Sequence, residues 1–349
     1  MKHAMKHGVH IVGSVPMKSA AEVFKQLSAA VGPYLRYLPD GETGPRLDWL
    51  PWLEPIFASH PDFEKSPEEY RVHTGATAFR RWQLKEGVDP QTVRFSRLPH
   101  SGFALDSWRV FERLKEAGKI PAQVRYQCDI ASIPSLLAAF VVEPLHAALE
   151  PALEQAVIEE IGIICAAIPH EELAIQFDVA SSIFFYLETG TPCKFGATVA
   201  QMMESFVPLH VRLGNAVPPQ VHLVYHFCYG DNKHKHSVEP RDSAHLVNFA
   251  NALSAGIGRS IELIHMPVPR ERSDDAYFAP MKAMTLRPET TLALGLVHHT
   301  DGLEGTRRRI AAAEKVVKGF MIGTECGFGR RDPSTVPKLL EIHAQAAAG

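Results

Sequence analysis

The sequence predicts a single (β/α)8 barrel (TIM barrel) with a helical and loop excursion after the second strand. Three observations predict it. Short β-branched runs alternate with longer helical patterns, which is how parallel βα units read. Eight such runs occur, and a closed parallel sheet of eight leaves no edge to protect. Polar residues gather where the runs end, and that is the face on which a barrel builds its site.

The first run is Val9–Val12, ending in Gly13-Ser14, with a helical pattern from Ser19 to Ala30 behind it. The second, Tyr34–Leu38, breaks into the turn Pro39-Asp40-Gly41-Glu42-Thr43-Gly44. The excursion follows, from about Pro45 to Lys119, rich in Trp, Pro and Arg. It reads as helices and loops over the barrel mouth. Its tryptophans (Trp49, Trp52, Trp82, Trp108) suit either a lid or packing between surface helices and the barrel. From there the rhythm is regular, with strands expected at Gln123–Gln127, Leu173–Phe177, Val221–His226, Ser260–Ile264, Thr291–Leu296 and Phe320–Ile322. Helical patterns lie between them, at Glu150–Ala167, Ala197–Leu213, Asp242–Ala255 and Gly302–Lys318, with Ser334–Ala347 last. No repeat, low-complexity tract or flexible linker divides the chain, so 1–349 reads as one domain.

Composition sets outer limits on function. With 46% hydrophobic and 21% charged residues the chain reads as an ordinary globular protein able to bury a full core. A formal net charge of −3 offers no strong field for nucleic acid or an anionic membrane. The longest apolar stretches, near Leu136–Val142 and Ile161–Ile168, are too short to span a bilayer. Five widely spaced cysteines suit reduced thiols or metal ligands better than a disulfide framework. A cytoplasmic enzyme acting on small molecules is the expectation.

The strand ends carry the chemistry. Ser14 follows the first run, Asp40 and Glu42 the second, and Asp178 the fourth; His226 and Cys228 end the fifth, Glu262 the sixth, His298 and His299 the seventh, Cys326 the eighth. Zinc takes N and S ligands in tetrahedral array and accepts a carboxylate as a fourth. In His226-Phe227-Cys228 the two donors stand at i and i+2, on one side of an extended strand. Glu262 and Cys326 would reach the same point from neighbouring strands. Spacing alone does not announce a metal site, since no compact CxxC pair is present. Taken singly, a Cys in an apolar strand is usually a small buried hydrophobe, and a His at a strand end is usually a hydrogen-bonded structural group. Cys128, Cys165 and Cys193 take that structural reading. Glu262, inside Ser-Ile-Glu-Leu-Ile, needs a metal or cation to offset its burial. Glu42 and Asp40 fall in a Pro-Asp-Gly turn, where solvated side chains are ordinary.

At these residues the chain resembles the catalytic barrel of cobalamin-independent methionine synthase, in the superfamily that also holds uroporphyrinogen decarboxylase. The matching pieces are Val12-Gly13-Ser14-Val15-Pro16, Gly41-Glu42, Gln176-Phe177-Asp178, His226-Phe227-Cys228-Tyr229, Ile261-Glu262, Gly295-Leu296-Val297 and Glu325-Cys326-Gly327-Phe328. They run in the family's order from about residue 9 to 332. The resemblance implies one zinc held by His226, Cys228, Glu262 and Cys326, and a reaction in which a zinc-activated thiol takes a methyl or alkyl group. It implies that Ser14, Glu42 and Asp178 hold the amino-acid part of the thiol substrate.

The chain also departs from the family. Val179-Ala180 stands where Glu-Pro usually follows the aspartate. Past Gly295, His298 and Thr300 occupy places where the family has Asp and His, with His299 between them. His298 and His299 are therefore the candidates for a catalytic proton donor to the leaving group. The alternatives to thiol alkylation are a zinc lyase or hydrolase using metal-bound water, or a thiol- or metal-binding barrel without turnover. Two Cys ligands make zinc a poorer Lewis acid, which disfavours the first.

Overall fold

The computed structural model describes residues 6–70, 79–231 and 235–349. Among these, nine strands are assigned: β1 (Tyr37–Pro39), β2 (Phe63–Tyr70), β3 (Phe79–Leu84), β4 (Arg125–Ala131), β5 (Leu173–Val179), β6 (His222–Phe227), β7 (Leu263–Pro267), β8 (Thr291–Val297) and β9 (Met321–Thr324). Seven of them form one curled parallel sheet in the order β1-β4-β5-β6-β7-β8-β9. The fold is therefore mixed α/β with a parallel half-barrel, consistent with a TIM-like barrel. The run expected as the first strand, Val9–Val12, makes only single parallel bridges, from Val9 to Leu35 on one side and Ile322 on the other.

Helices flank the sheet because their apolar residues recur at three- and four-residue spacing. Leu149, Leu153, Val157, Ile161 and Ile164 form such a buried stripe on His146–Ala167. Ser19 and Thr198 cap the helices Ala20–Val31 and Val199–Ala216 by accepting first-turn N–H groups. No helix among the described residues is long and apolar enough to cross a membrane.

The two-residue period of the strands sorts the interior by depth. Tyr37, Ala174, Val224, Leu263, Ala293 and Met321 make a separate apolar layer near the strand starts. Two residues further along β5, β6 and β7 come Gln176, His226 and His265. Asp178 and Cys228 lie two residues beyond Gln176 and His226. The interior passes from apolar to polar toward the C-terminal ends of the strands, where the site lies.

Two expectations change. The excursion contains an antiparallel pair, β2 with β3, as well as the helix His100–Glu116; residues 71–78 of the excursion lie outside the described residues. The pair was hidden because Phe63–Tyr70 carries Pro67, has an irregular register between Lys65 and Glu69, and shows no clean alternation of burial. The strand expected sixth is Leu263–Pro267, three residues downstream of the expected Ser260–Ile264. That shift moves Glu262 off the strand's C-terminal end.

Candidate metal centre

His226, Cys228 and Cys326 come together at the strand ends, with one donor atom from each lying within 4.8 Å of the others. His226 and Cys228 arrive on the same inward face of β6, and Cys326 from the turn after β9. The approach of that turn depends on Gly327, where a Cβ would fall 2.4 Å from Ser14 Oγ. The Phe328 N–H donates to the Ser14 carbonyl at 2.6 Å, so the loops carrying Ser14 and Cys326 are tied together. Cys228 Sγ accepts from the Gly230 N–H at 3.2 Å. Its thiol is held well below the usual range, chiefly by a hydrogen bond with Cys326, while the same contact pushes Cys326 well up.

The donor set fits zinc. Zinc–sulfur bonds of about 2.3 Å put the ligand atoms of a tetrahedron roughly 3.5–4 Å apart, within the spread found here. One imidazole and two thiols are borderline-soft donors of the kind zinc selects. Three protein ligands leave a fourth position for substrate, as catalytic zinc sites do.

Glu262 is not in this cluster. It precedes β7, where its carboxylate accepts from the Leu223 N–H at 2.6 Å and from Arg259 Nη2 at 3.2 Å. Register places Leu223 three residues before His226, so Glu262 lies near the opposite end of the sheet. The charge that seemed to demand a metal is offset by Arg259. The group beside His226 on β7 is His265, whose Nδ1 lies 2.8 Å from His226 Nδ1.

A cavity of about 440 Å³ opens over the cluster, and Ser14, Glu42 and Asp178 line it with His226, Cys228 and Cys326. Asp178 accepts from Trp49 Nε1 at 3.2 Å and Gln176 Nε2 at 3.0 Å. Burial raises its carboxyl to about 6, and burial with the nearby Asp178 raises Glu42 to about 8. Glu42 and Trp49 have φ of 46° and 65°, a left-handed backbone that costs a side-chain-bearing residue roughly 1–3 kcal/mol each. Both strained residues aim into the cavity. Asp40, by contrast, is consumed locally, accepting from Arg46 at 2.7 Å, Ser107 at 2.6 Å and the Glu42 N–H at 2.8 Å. Arg46 therefore pairs with Asp40.

His298 and His299 are not among the residues that line the cavity. His298 is buried, with Nε2 2.9 Å from the Val268 carbonyl and Nδ1 3.5 Å from Glu325, the neighbour of Cys326. His299 is half-buried. Several residues of the site escaped the sequence reading. Trp49 pins Asp178; Arg330 lines the cavity, with Nε 3.4 Å from Asp48. Asp129 was missed because β4 runs past its expected end at Gln127, and the strand-end rule would otherwise have found it. A Cβ on Gly13 would fall 2.9 Å from Asp129 and 3.4 Å from Glu42, which places the two carboxylates side by side.

This is the fold of a parallel α/β half-barrel with a polar C-terminal mouth, and its structural neighbours are cobalamin-independent methionine synthase-like proteins and a methyltransferase. A protein from Listeria monocytogenes described as a vitamin-B12-independent methionine synthase matches with a TM-score of 0.57 and 16% identity, covering 98% of each chain. A B12-independent methionine synthase from Shewanella sp. W3-18-1 matches with a TM-score of 0.60 and 12% identity, over 99% of this chain and 97% of that one. A methyltransferase from Methanosarcina mazei gives 0.50 and 12%, over 97% and 94%. No family model and no curated protein sequence matches the chain.

Proposed function

We propose that the chain is a zinc-dependent methyl (or other alkyl) transferase that acts on a small-molecule thiol, similar to cobalamin-independent methionine synthase. The observation that carries this reading is the convergence of His226, Cys228 and Cys326 at the floor of a cavity lined by Glu42 and Asp178. A zinc bound there would take the thiol in its fourth position and lower its pKa, supplying a thiolate at neutral pH.

The chain's own residues divide the remaining work. Glu42 and Asp178 are suited to an ammonium: both face the cavity, and a bound cation would offset the burial and the repulsion from Asp178 that together raise Glu42. Trp49 and Gln176 hold the Asp178 carboxylate in place for that contact. Ser14 and the Arg330 guanidinium also line the cavity and are suited to the substrate carboxylate. Tyr70, Phe79, Phe185 and Ala139 supply an apolar wall against which the alkyl donor can pack and from which water is displaced. In the transfer, the sulfur lone pair forms the new S–C bond. The bond from that carbon to its former partner breaks, and its electron pair leaves with the donor. An amino-acid substrate agrees with the Shewanella neighbour, which is described in complex with selenomethionine. His298 lies outside the residues that line the cavity, with Nδ1 3.5 Å from Glu325, and His299 has no part in the proposed machinery.

The test is metal analysis of the purified protein followed by transfer assays pairing amino-acid thiols with methyl donors. Stoichiometric zinc and thiol-dependent methylation are expected. Turnover without thiol, or no metal uptake after dialysis against zinc, overturns the reading.

A further inference from the structure

We infer that His265 is a positioning residue that accepts the Nδ1–H of His226, so that His226 Nε2 is the nitrogen turned to Cys228 and Cys326. Only the identity of what Nε2 meets rests on the proposed metal reading. The hydrogen-bond assignment stands on the histidine pair itself.

The two Nδ1 atoms lie 2.8 Å apart, with ring centroids at 4.8 Å and planes inclined by 43°. His226 is 2% exposed and His265 is fully buried, so water cannot mediate between them. At that separation one proton must lie between the nitrogens: none would set two lone pairs face to face, and two would collide. A neutral imidazole carries one N–H, so the donor's other nitrogen is bare and the acceptor's other nitrogen is protonated. The surroundings decide which is which. His265 Nε2 makes no close hydrogen bond, and the main chain of Thr324 nearby favours a proton on that ring. If His265 were the donor, a bare Nε2 would be left toward that main chain. With His226 as donor, His265 carries its proton on Nε2, and His226 Nε2 turns a lone pair toward the cysteines. This arrangement turns a donor, not a lone pair, toward the Thr324 main chain and leaves a lone pair for the cluster.

His265 is also placed to join the strands that carry the cluster. It sits on β7 in register with His226 on β6, and its far edge faces the end of β9, where a Cβ on Gly323 would lie 3.7 Å from Nε2. Thr324 Oγ1 donates to the Cys326 carbonyl at 2.7 Å. His265 thus packs against both the strand bearing His226 and the strand leading to Cys326, outside the residues that line the cavity. His10 packs behind it, with ring centroids 5.4 Å apart. His265 lies outside the cluster of three donors, and its Nδ1 is committed to His226, so it orients a ligand and is not one. Partners of this kind fix the tautomer and ring angle of a ligating histidine, and their loss costs roughly 10–100-fold in metal affinity.

The experiment is long-range 15N–1H NMR of histidine-labelled protein, metal-free and zinc-loaded, with cobalt(II) titrations of wild type, His265→Gln and His265→Ala. The expected spectra show a His226 Nδ1–H in both forms, with Nε2 shifting on zinc binding. His265→Ala should bind one cobalt with an unchanged thiolate charge-transfer band but about 10–100-fold more weakly. His265→Gln, whose carbonyl can accept the same hydrogen bond, should recover most of that loss. A bare His226 Nδ1 in the metal-free protein overturns the inference even if both variants fail to fold. Unchanged cobalt affinity in His265→Ala also overturns it, as does a ligand-field spectrum lacking one nitrogen, which would make His265 a ligand. Failure of the wild type to bind metal would sink the metal reading alone, because the Nδ1–H is read without metal.

Discussion

Glu262 and Arg259 form a half-buried ion pair at 3.2 Å at the entry to β7, and the same carboxylate accepts the Leu223 N–H across the sheet at 2.6 Å. Arg259 also donates to the carbonyls of Val217 and Val221, so the pair closes the end of the sheet remote from the cavity. Glu262→Gln keeps an acceptor for Leu223 and should cost only about 1 kcal/mol, whereas Glu262→Ala strands both donors and should cost about 2–4 kcal/mol. Neither should alter metal content. Denaturant unfolding beside elemental analysis checks both halves, and zinc loss in a folded Glu262→Gln protein would restore Glu262 as a ligand.

Cys228 and Cys326 are the thiols of the cluster, and each reads the other's charge. Cys326→Ser should leave two strong protein ligands and cut zinc affinity by at least about 100-fold, with transfer activity falling in parallel. The double Cys228→Ser/Cys326→Ser protein should bind no stoichiometric zinc. Its far-ultraviolet circular dichroism should match wild type, since neither thiol is deep in the main apolar core.

Glu42 and Asp178 titrate upward on folding, to about 8 and about 6, both chiefly through burial. Because each folded value exceeds the unfolded one, the folded protein holds these protons more tightly than the unfolded chain. Stability from this source is complete below about pH 4 and is lost as pH rises through 6 and then 8. The ligand-free protein should therefore melt lower at pH 8.5 than at pH 6, and Glu42→Gln should flatten that slope. Ammonium binding has the opposite dependence, because the carboxylates must ionise to hold a cation. Methionine, as an unreactive amino-acid probe, should bind more tightly as pH rises from 6 to 8.5, and calorimetry that found no trend would remove these two residues from the subsite.

Gly295 on β8 leaves no room for a side chain: a Cβ there would lie 2.7 Å from Glu325 Cα and 3.0 Å from its nitrogen. Gly295→Ala should push the Glu325–Cys326 turn outward. The expected result is a loss of about 1–3 kcal/mol together with weaker zinc binding, although the substituted residue is no ligand. Unchanged metal affinity would show that the turn moves without carrying Cys326 with it.

Much of the fold was legible because a buried parallel strand writes a continuous apolar run. Leu173 and Thr291 open β5 and β8 as expected, and those strands run only one or two residues longer. β7 shows where legibility ends. Ser260 through Pro267 is apolar or small at almost every place, so composition does not say where sheet pairing starts, and a three-residue slip carries Glu262 from the mouth to the base. The period of two held the correction: Leu263 and His265 share the inward face, which excludes Glu262. Trp49 and Arg330 were unreadable for another reason. Their roles depend on loops whose course follows from packing, not from periodicity.

His298 is the last point at which sequence position and geometry separate. It follows the seventh expected strand, as a proton donor to a leaving group would, yet its ring spans the Val268 carbonyl and Glu325 behind the cavity wall. Burial also lowers its pKa, which favours the neutral ring at working pH. A neutral imidazole with its proton on Nε2 donates to the Val268 carbonyl and turns only a lone pair on Nδ1 toward Glu325, so its contribution is that buried hydrogen bond. His298→Ala should therefore destabilise the protein by about 1–3 kcal/mol. The pH dependence of the residual transfer rate should keep its wild-type shape. His299→Ala, lacking these contacts, should stay within about twofold of wild type, since surface-facing changes rarely matter more. Loss of one limb of the pH–rate profile in His298→Ala, with zinc fully retained, would instead make it the acid that protonates the leaving group.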